Sequence, residues 1–167
     1  MNYTKININD IYKNDFSIYK NIQADKQIIF KAWTDPVHVR QWWGPYHFTN
    51  PVCQMNVRIG GRFRIEMTAP DGAVFPMHGI FHEIVFASKL VFTIIAFKDE
   101  RNKNQLEYLN KVTFTHDEYS TLLKMKVEIM KSAPGIECLM DGIKEGWHQS
   151  FDKLESYIIN NKHQIQL

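Results

Sequence analysis

Two histidines, His78 and His82, stand four residues apart in "MHGIFHEIV", with Glu83 beside the second and Tyr46 upstream in "GPYHF". These residue types bind metals or move protons. On a helix, that spacing would bring both imidazoles to one ion. The surrounding pattern reads as a strand, where four residues span about 13 Å at the usual rise, too far to share one ion. No metal site is expected. Acid–base work stays open to His78, His82, Glu83 or Tyr46 if the fold turns one of them into a closed space, where desolvation shifts a pKa. Facing water, they are ordinary surface residues.

Nucleophiles are no better placed. Cys53 has no adjoining motif, Ser88 and Ser150 fall in turn and helix contexts, and Gly60-Gly61 lacks the Lys-Ser/Thr that follows a phosphate loop. No catalytic residue and no cofactor is assigned. The only cysteines, Cys53 and Cys138, are too few and too far apart for a disulfide framework or a zinc site, and imply a reducing compartment. Twenty Lys plus Arg, scattered among eighteen Asp plus Glu, leave a charge of +2, which argues against nucleic acid or an anionic membrane as partner. With no signal-like start and no apolar run of spanning length, the expected location is the cytoplasm.

The apolar residues say more. In "WTDPVHVRQWWGPYHF", Trp42 and Trp43 adjoin just where a helix should stop. Helical neighbours sit about 100° apart, so both indoles cannot enter one core seam. One is expected to close the core and the other to line or lid a space.

The elements that would hold them follow from period and punctuation. Residues 1–15 carry no period and read as an N-terminal arm; 16–162 read as one domain. A short strand spans Phe16 to Gln23. "ADKQIIFKAW" is helical, and Asp35-Pro36 caps and opens a second helix that stops at Gly44-Pro45. "NVRIGGRFRIEM" reads as two strands turned at Gly60-Gly61, with Phe63, Ile65 and Met67 on the apolar face. Asp71-Gly72 turns the chain again. "MHGIFHEIVFASKLVFTIIAF" supplies two strands, with the inward choice between Ile80 and Phe81 left open. "YLNKVTFTH" and "STLLKMKVEIM" pair around Asp117-Glu118, the latter alternating Thr121, Leu123, Met125, Val127 and Ile129 against Lys124, Lys126 and Glu128. Last, Ile136, Met140, Ile143, Trp147, Phe151 or Ser150, Leu154 and Ile158 form one stripe of a long helix.

This order predicts an α+β chain: a curved antiparallel sheet of six to seven strands around a long C-terminal helix, with two short helices after the first strand. One helix against a curved sheet need not seal it, and the gap becomes a pocket. Gly142 and Gly146 fit that idea. Each costs a helix about 1 kcal/mol relative to alanine, and both thin the same face. Close packing of helix on sheet would also explain them.

Together, "FKAWTDPVHVRQWWGP", "NPVCQMNVRIGGRFRIEM", "PDGAVFPMHGIFHEIV", "KLVFT" and "EGWHQSFDKLESYI" resemble the bacterial homologues of the heat-shock-protein-90 ATPase activator. That family belongs to the START and birch-pollen-allergen superfamily, and the likeness covers roughly Ile18 to Asn160. It departs at Ala24-Asp25, where relatives carry Ala-Pro. The resemblance implies the helix-grip fold and a deep apolar cavity for a small hydrophobic molecule. It also leaves open a cofactor-free cyclase, dehydratase or hydrolase in that cavity, or a module that stimulates a chaperone's ATPase. Partners are then a small hydrophobic molecule, a chaperone or a second copy. The candidate lining is Trp42, Trp43, Phe48, Phe63, Ile65, Met67, Phe92, Phe114, Met125, Met140, Ile143 and Trp147, with His78, His82 and Tyr46 as polar cavity groups.

Overall fold

The computed structural model describes residues 15–98, 100–101 and 103–165. The arm expected over residues 1–15 lies outside them except for Asp15, whose carboxylate accepts the Ile129 backbone N–H at 2.9 Å.

Strand β1 (Phe16–Ile22) leads into helices α1 (Lys26–Thr34) and α2 (Pro36–Trp42). Both helices begin on an aspartate. Asp25 accepts the Gln27 N–H at 2.8 Å, and Asp35 accepts the Val37 N–H at 2.9 Å with Pro36 in the first turn. Asp25 is thus the cap rather than a first-turn residue, so the missing Ala-Pro costs the helix little. Gly44, at φ +88°, reverses the chain after α2; a Cβ there would meet Met67 Sδ at 2.7 Å.

Strands β2 (Thr49–Met55), β3 (Arg62–Thr68), β4 (Val74–Val85), β5 (Lys89–Lys98), β6 (Asn104–His116) and β7 (Thr121–Ser132) complete a seven-stranded antiparallel sheet, ordered β1-β7-β6-β5-β4-β3-β2. The strand expected over Asn56–Ile59 is instead a loop. β2 starts earlier, carries Pro51 on the free edge, and pairs Met55 with Phe63. Only Gly60 of the glycine pair takes positive φ. Phe81, not Ile80, is the buried member of its pair.

A turn of 3-10 helix (Ile136–Leu139) precedes α3 (Met140–Asn161), which lies along the inner face of the sheet. Its buried stripe is Met140, Trp147, Ser150, Phe151, Leu154 and Ile158. Opposite stand the inward residues of the strands: Ile18 and Ile22, Leu123, Met125 and Val127, Val112 and Phe114, Phe92 and Ile94, Phe63 and Ile65. This is the helix-grip arrangement. Lys20 of β1 pairs with Asp152 and Glu155 of α3, at 2.8 and 2.6 Å. His38 of α2 and the Tyr157 hydroxyl share a hydrogen bond of 2.8 Å.

An aromatic block fixes the two short helices to this frame. The Trp33 ring lies 4.7 Å from Trp42 and stacks on Trp147 at 6.3 Å and 10°. Trp42 is fully buried and donates its indole N–H to Ala32 O at 3.0 Å. Packed ring against ring and buried, the block forms one wall of the core.

Candidate functional site

The sheet is not paired along its full width. β4 and β5 pair from Val85–Lys89 to Met77–Ala96, with a bulge between Glu83 and Phe81, and in the register beyond it the next pair would be Pro76 with Phe97. That pair does not form. Proline has no N–H to donate, and Phe97 is not extended but sits at φ +56°. Beyond Met77 and Ala96, β4 stays attached to β3 and β5 to β6, while the two strands part company.

A cavity of about 510 Å³ opens at this split, between the strand ends, the turn after α2 and the first turns of α3. Its inner end is made of buried groups: Trp43, Met77, Ala96, Tyr108, Trp147 and Ser150. Its rim is exposed: Val74, Phe75, Pro76, Lys98, Leu139 and Gly142. A volume of this size suits a small organic molecule.

Both tryptophans enter the same core, their rings 5.6 Å apart, because Trp43 is the extended cap of α2 and not a helical neighbour of Trp42. Trp43 also lines the cavity, donates its indole N–H to Met77 Sδ at 3.1 Å, and meets Trp147 at 4.9 Å and 71°. The turn carrying Trp43 is pinned from α3. Lys153 Nζ donates to the Trp43, Gly44 and Pro45 carbonyls at 3.2–3.3 Å, and Ser150 Oγ accepts the Gly44 N–H at 3.0 Å. Trp43 O also accepts from the Asn50 amide and Pro45 O from the Phe48 N–H, so the ammonium adds a bond to each and serves Gly44 O as well, at the end of a short helix.

The helix glycines serve different ends. A Cβ at Gly142 would meet nothing within 4 Å, so its face is open. At Gly146 a Cβ would lie 3.4 Å from Pro45 Cγ, ordinary contact with the pinned turn.

Of the expected lining, Trp43, Phe48, Met67, Ile143 and Trp147 front the cavity. Trp42, Phe114, Met125 and Met140 are packed into the core. Phe63, Ile65 and Phe92 border only a separate void of about 10 Å³, too small for a guest. The strand residues among these share the inner face of the sheet, but α3 and the tryptophan block cover them. Gly44, Pro45, Val74, Phe75, Pro76, Met77, Ile95, Ala96, Phe97, Lys98, Tyr108, Leu139 and Ser150 line the cavity without having been singled out. Pro76 inside a strand pattern was the readable signal, since proline ends a ladder.

Among the polar candidates, His78 lines the cavity. Desolvation, with Lys98 and Arg64 nearby, lowers its pKa and keeps it neutral at pH 7. His82 points to the outer face and shares a 3.1 Å hydrogen bond with Thr93 Oγ1. Tyr46 is exposed and donates to Asp152 at 2.7 Å, away from the cavity. Glu83 pairs with Lys89 at 2.9 Å. Ser150 Oγ is already committed, donating to Gly146 O at 2.8 Å. Among the described residues no three His, Cys, Asp or Glu side chains gather as a metal site would need. No described helix is long and apolar enough to cross a membrane.

The sequence profile of the family described as Activator of Hsp90 ATPase homolog 1-like protein matches residues 23–158. No curated protein matches the chain. Among solved structures, a protein of Arthrobacter aurescens is similar at TM-score 0.79 and 21% identity, over 90% of this chain and 89% of that one. A Nitrosomonas europaea protein gives 0.73 and 20%, over 89% and 96%. The AHSA1 protein of Silicibacter pomeroyi gives 0.73 and 17%, over 88% and 99%. At such identities the likeness is one of fold.

Proposed function

We propose, for a chain that belongs to the Activator of Hsp90 ATPase homolog 1-like family, that it binds a small hydrophobic molecule, without cofactor, in the cavity at the β4–β5 split. One observation carries this reading. The sheet opens where Pro76 and Phe97 fail to pair, and the space behind is walled by Trp43, Met77, Ala96 and Trp147. A preformed apolar cavity gains affinity from burial and spends little on reorganisation. At about 0.3 kcal/mol per heavy atom, a drug-sized guest binds in the micromolar range.

The supports for an enzyme are weaker. The nucleophile-like Ser150 has both its bonds in use within the fold, and the carboxylate whose charge reaches His78, Glu66, is itself paired with Arg64. The chaperone role in the family's name would call for an interaction face. The outer sheet surface around Arg62, Arg64, Lys124 and Lys126 is exposed and charged, which argues against an apolar docking patch there.

Trp43 and Trp147 supply the assay. Titration with a panel of apolar aromatic and alicyclic compounds should change intrinsic fluorescence saturably, and native mass spectrometry should show one guest per chain. A protein that takes up none of the panel at millimolar concentration refutes the proposal.

A further inference from the structure

The inner end of the cavity contains one polar group that the fold leaves half used. Tyr108 is 3% exposed, sits on the inner face of β6 and lines the cavity. Its oxygen accepts a hydrogen bond from the Trp147 indole, and burial pushes its pKa far above that of an ordinary phenol. It therefore stays protonated, and a phenol proton is a donor. Among the described residues no acceptor is recorded for that proton.

The other polar groups at the inner end are spent, and half-buried His78 pairs in register with Arg64 of the outer face. Trp43 N–H goes to Met77 Sδ, and Ser150 both accepts from Gly44 and donates to Gly146. Lysine 98 lines the cavity only at its exposed rim. A carboxylate at the inner end would thus face a single neutral donor in an apolar enclosure, an unfavourable place for charge. A neutral acceptor has the opposite effect. It satisfies a buried donor whose hydration a pure hydrocarbon guest would remove without replacement.

Resting on the cavity reading, we propose that the natural guest is an uncharged apolar molecule bearing a hydrogen-bond acceptor, such as a ketone, aldehyde, ester or ether oxygen, at its buried end. Tyr108 receives that oxygen, and Trp147 holds the hydroxyl in place. Tyr108 thus sets specificity at the inner end of the pocket, where the walls formed by Trp43, Met77, Ala96 and Trp147 are apolar.

The test compares benzophenone with diphenylmethane, which differ by one carbonyl in place of a methylene, on the natural protein and on Tyr108→Phe. The ketone should bind the natural protein roughly three- to tenfold more tightly than the hydrocarbon. In Tyr108→Phe the two should bind alike, with hydrocarbon affinity retained. If neither probe binds the natural protein, the cavity reading fails. If both bind it equally, or if the ketone keeps its advantage in Tyr108→Phe, the acceptor proposal fails and the cavity reading stands. Tyr108→Phe also strips Trp147 of its acceptor, so a second measurement uses the natural protein alone. The infrared carbonyl stretch of bound 13C-labelled benzophenone should fall below its value in hexane; an unshifted band overturns the proposal.

Discussion

Replacing Gly142 with a large apolar residue should make the protein more stable and a worse binder, the trade expected where a site gives up stability for room. Gly142 lies within α3 on the stripe shared by Leu139, Gly146 and Ser150, all of which line the cavity, and a Cβ there meets nothing within 4 Å. Alanine should therefore enter without strain and recover the helix propensity that glycine forfeits, about 1 kcal/mol. For a chain of this size that raises the melting temperature by roughly 2–4 °C. Leucine has nearly alanine's propensity but sends three further carbons into the opening. A guest deprived of about 60 Å² of apolar contact loses about 1.5 kcal/mol, roughly tenfold in affinity. Thermal unfolding followed by circular dichroism, and fluorescence titration with an apolar probe, read the two effects separately. Gly142→Ala should be stabilised with affinity nearly unchanged, and Gly142→Leu stabilised with affinity reduced about tenfold. A Gly142→Leu variant that binds as the natural protein does would refute the placement of the site. A destabilised Gly142→Ala would refute the claim that this face is open.

Gly79 is the opposite case: the Phe63 ring from the paired position on β3 covers it so closely that a Cβ would overlap the ring and the Thr93 carbonyl. Gly79→Ala should cost about 1–3 kcal/mol in urea unfolding, and an unchanged midpoint would contradict that packing. His78 gives a pH signature. Desolvation, followed by Lys98 and Arg64, lowers its folded pKa, so its contribution to stability is fully present above the unfolded value of about 6.5 and is lost as pH falls through the folded one. Urea unfolding across this range should show a greater loss of stability in the natural protein than in His78→Gln; parallel profiles would contradict that desolvation. The thiols should separate by rate. Burial pushes Cys53 up to about 11 while Cys138 is exposed, so a thiol reagent at pH 8 should label one cysteine quickly, and Cys138→Ser should abolish that phase. Rapid labelling of Cys53 in the folded protein would count against its burial.

Much of the frame was readable before any coordinates. The alternation from Thr121 to Ile129 holds residue for residue, because a side-chain period of two leaves a half-buried strand only one way to face. Asp35-Pro36 opened α2 as expected, since a carboxylate cap and a proline at the first position act locally. The stripe from Met140 to Ile158 marked the buried side of α3. Legibility failed at "NVRIGG", where an apolar alternation of four residues proved too short to outweigh a pairing made with residues before it.

Period and capping are local properties, so where they are clear, as from Thr121 to Ile129 and from Met140 to Ile158, the chain alone decided which element forms and which face it buries. It could not decide what stands opposite each inward residue. Phe63, Phe92 and Met125 face inward on the same footing as Met67 and Tyr108, yet α3 and the tryptophan block cover the first three and leave the others at an opening. That division belongs to the tertiary structure. It depends on two residues twenty-one positions apart, Pro76 and Phe97, failing to join their strands, and on a single helix too narrow to cover the gap they leave.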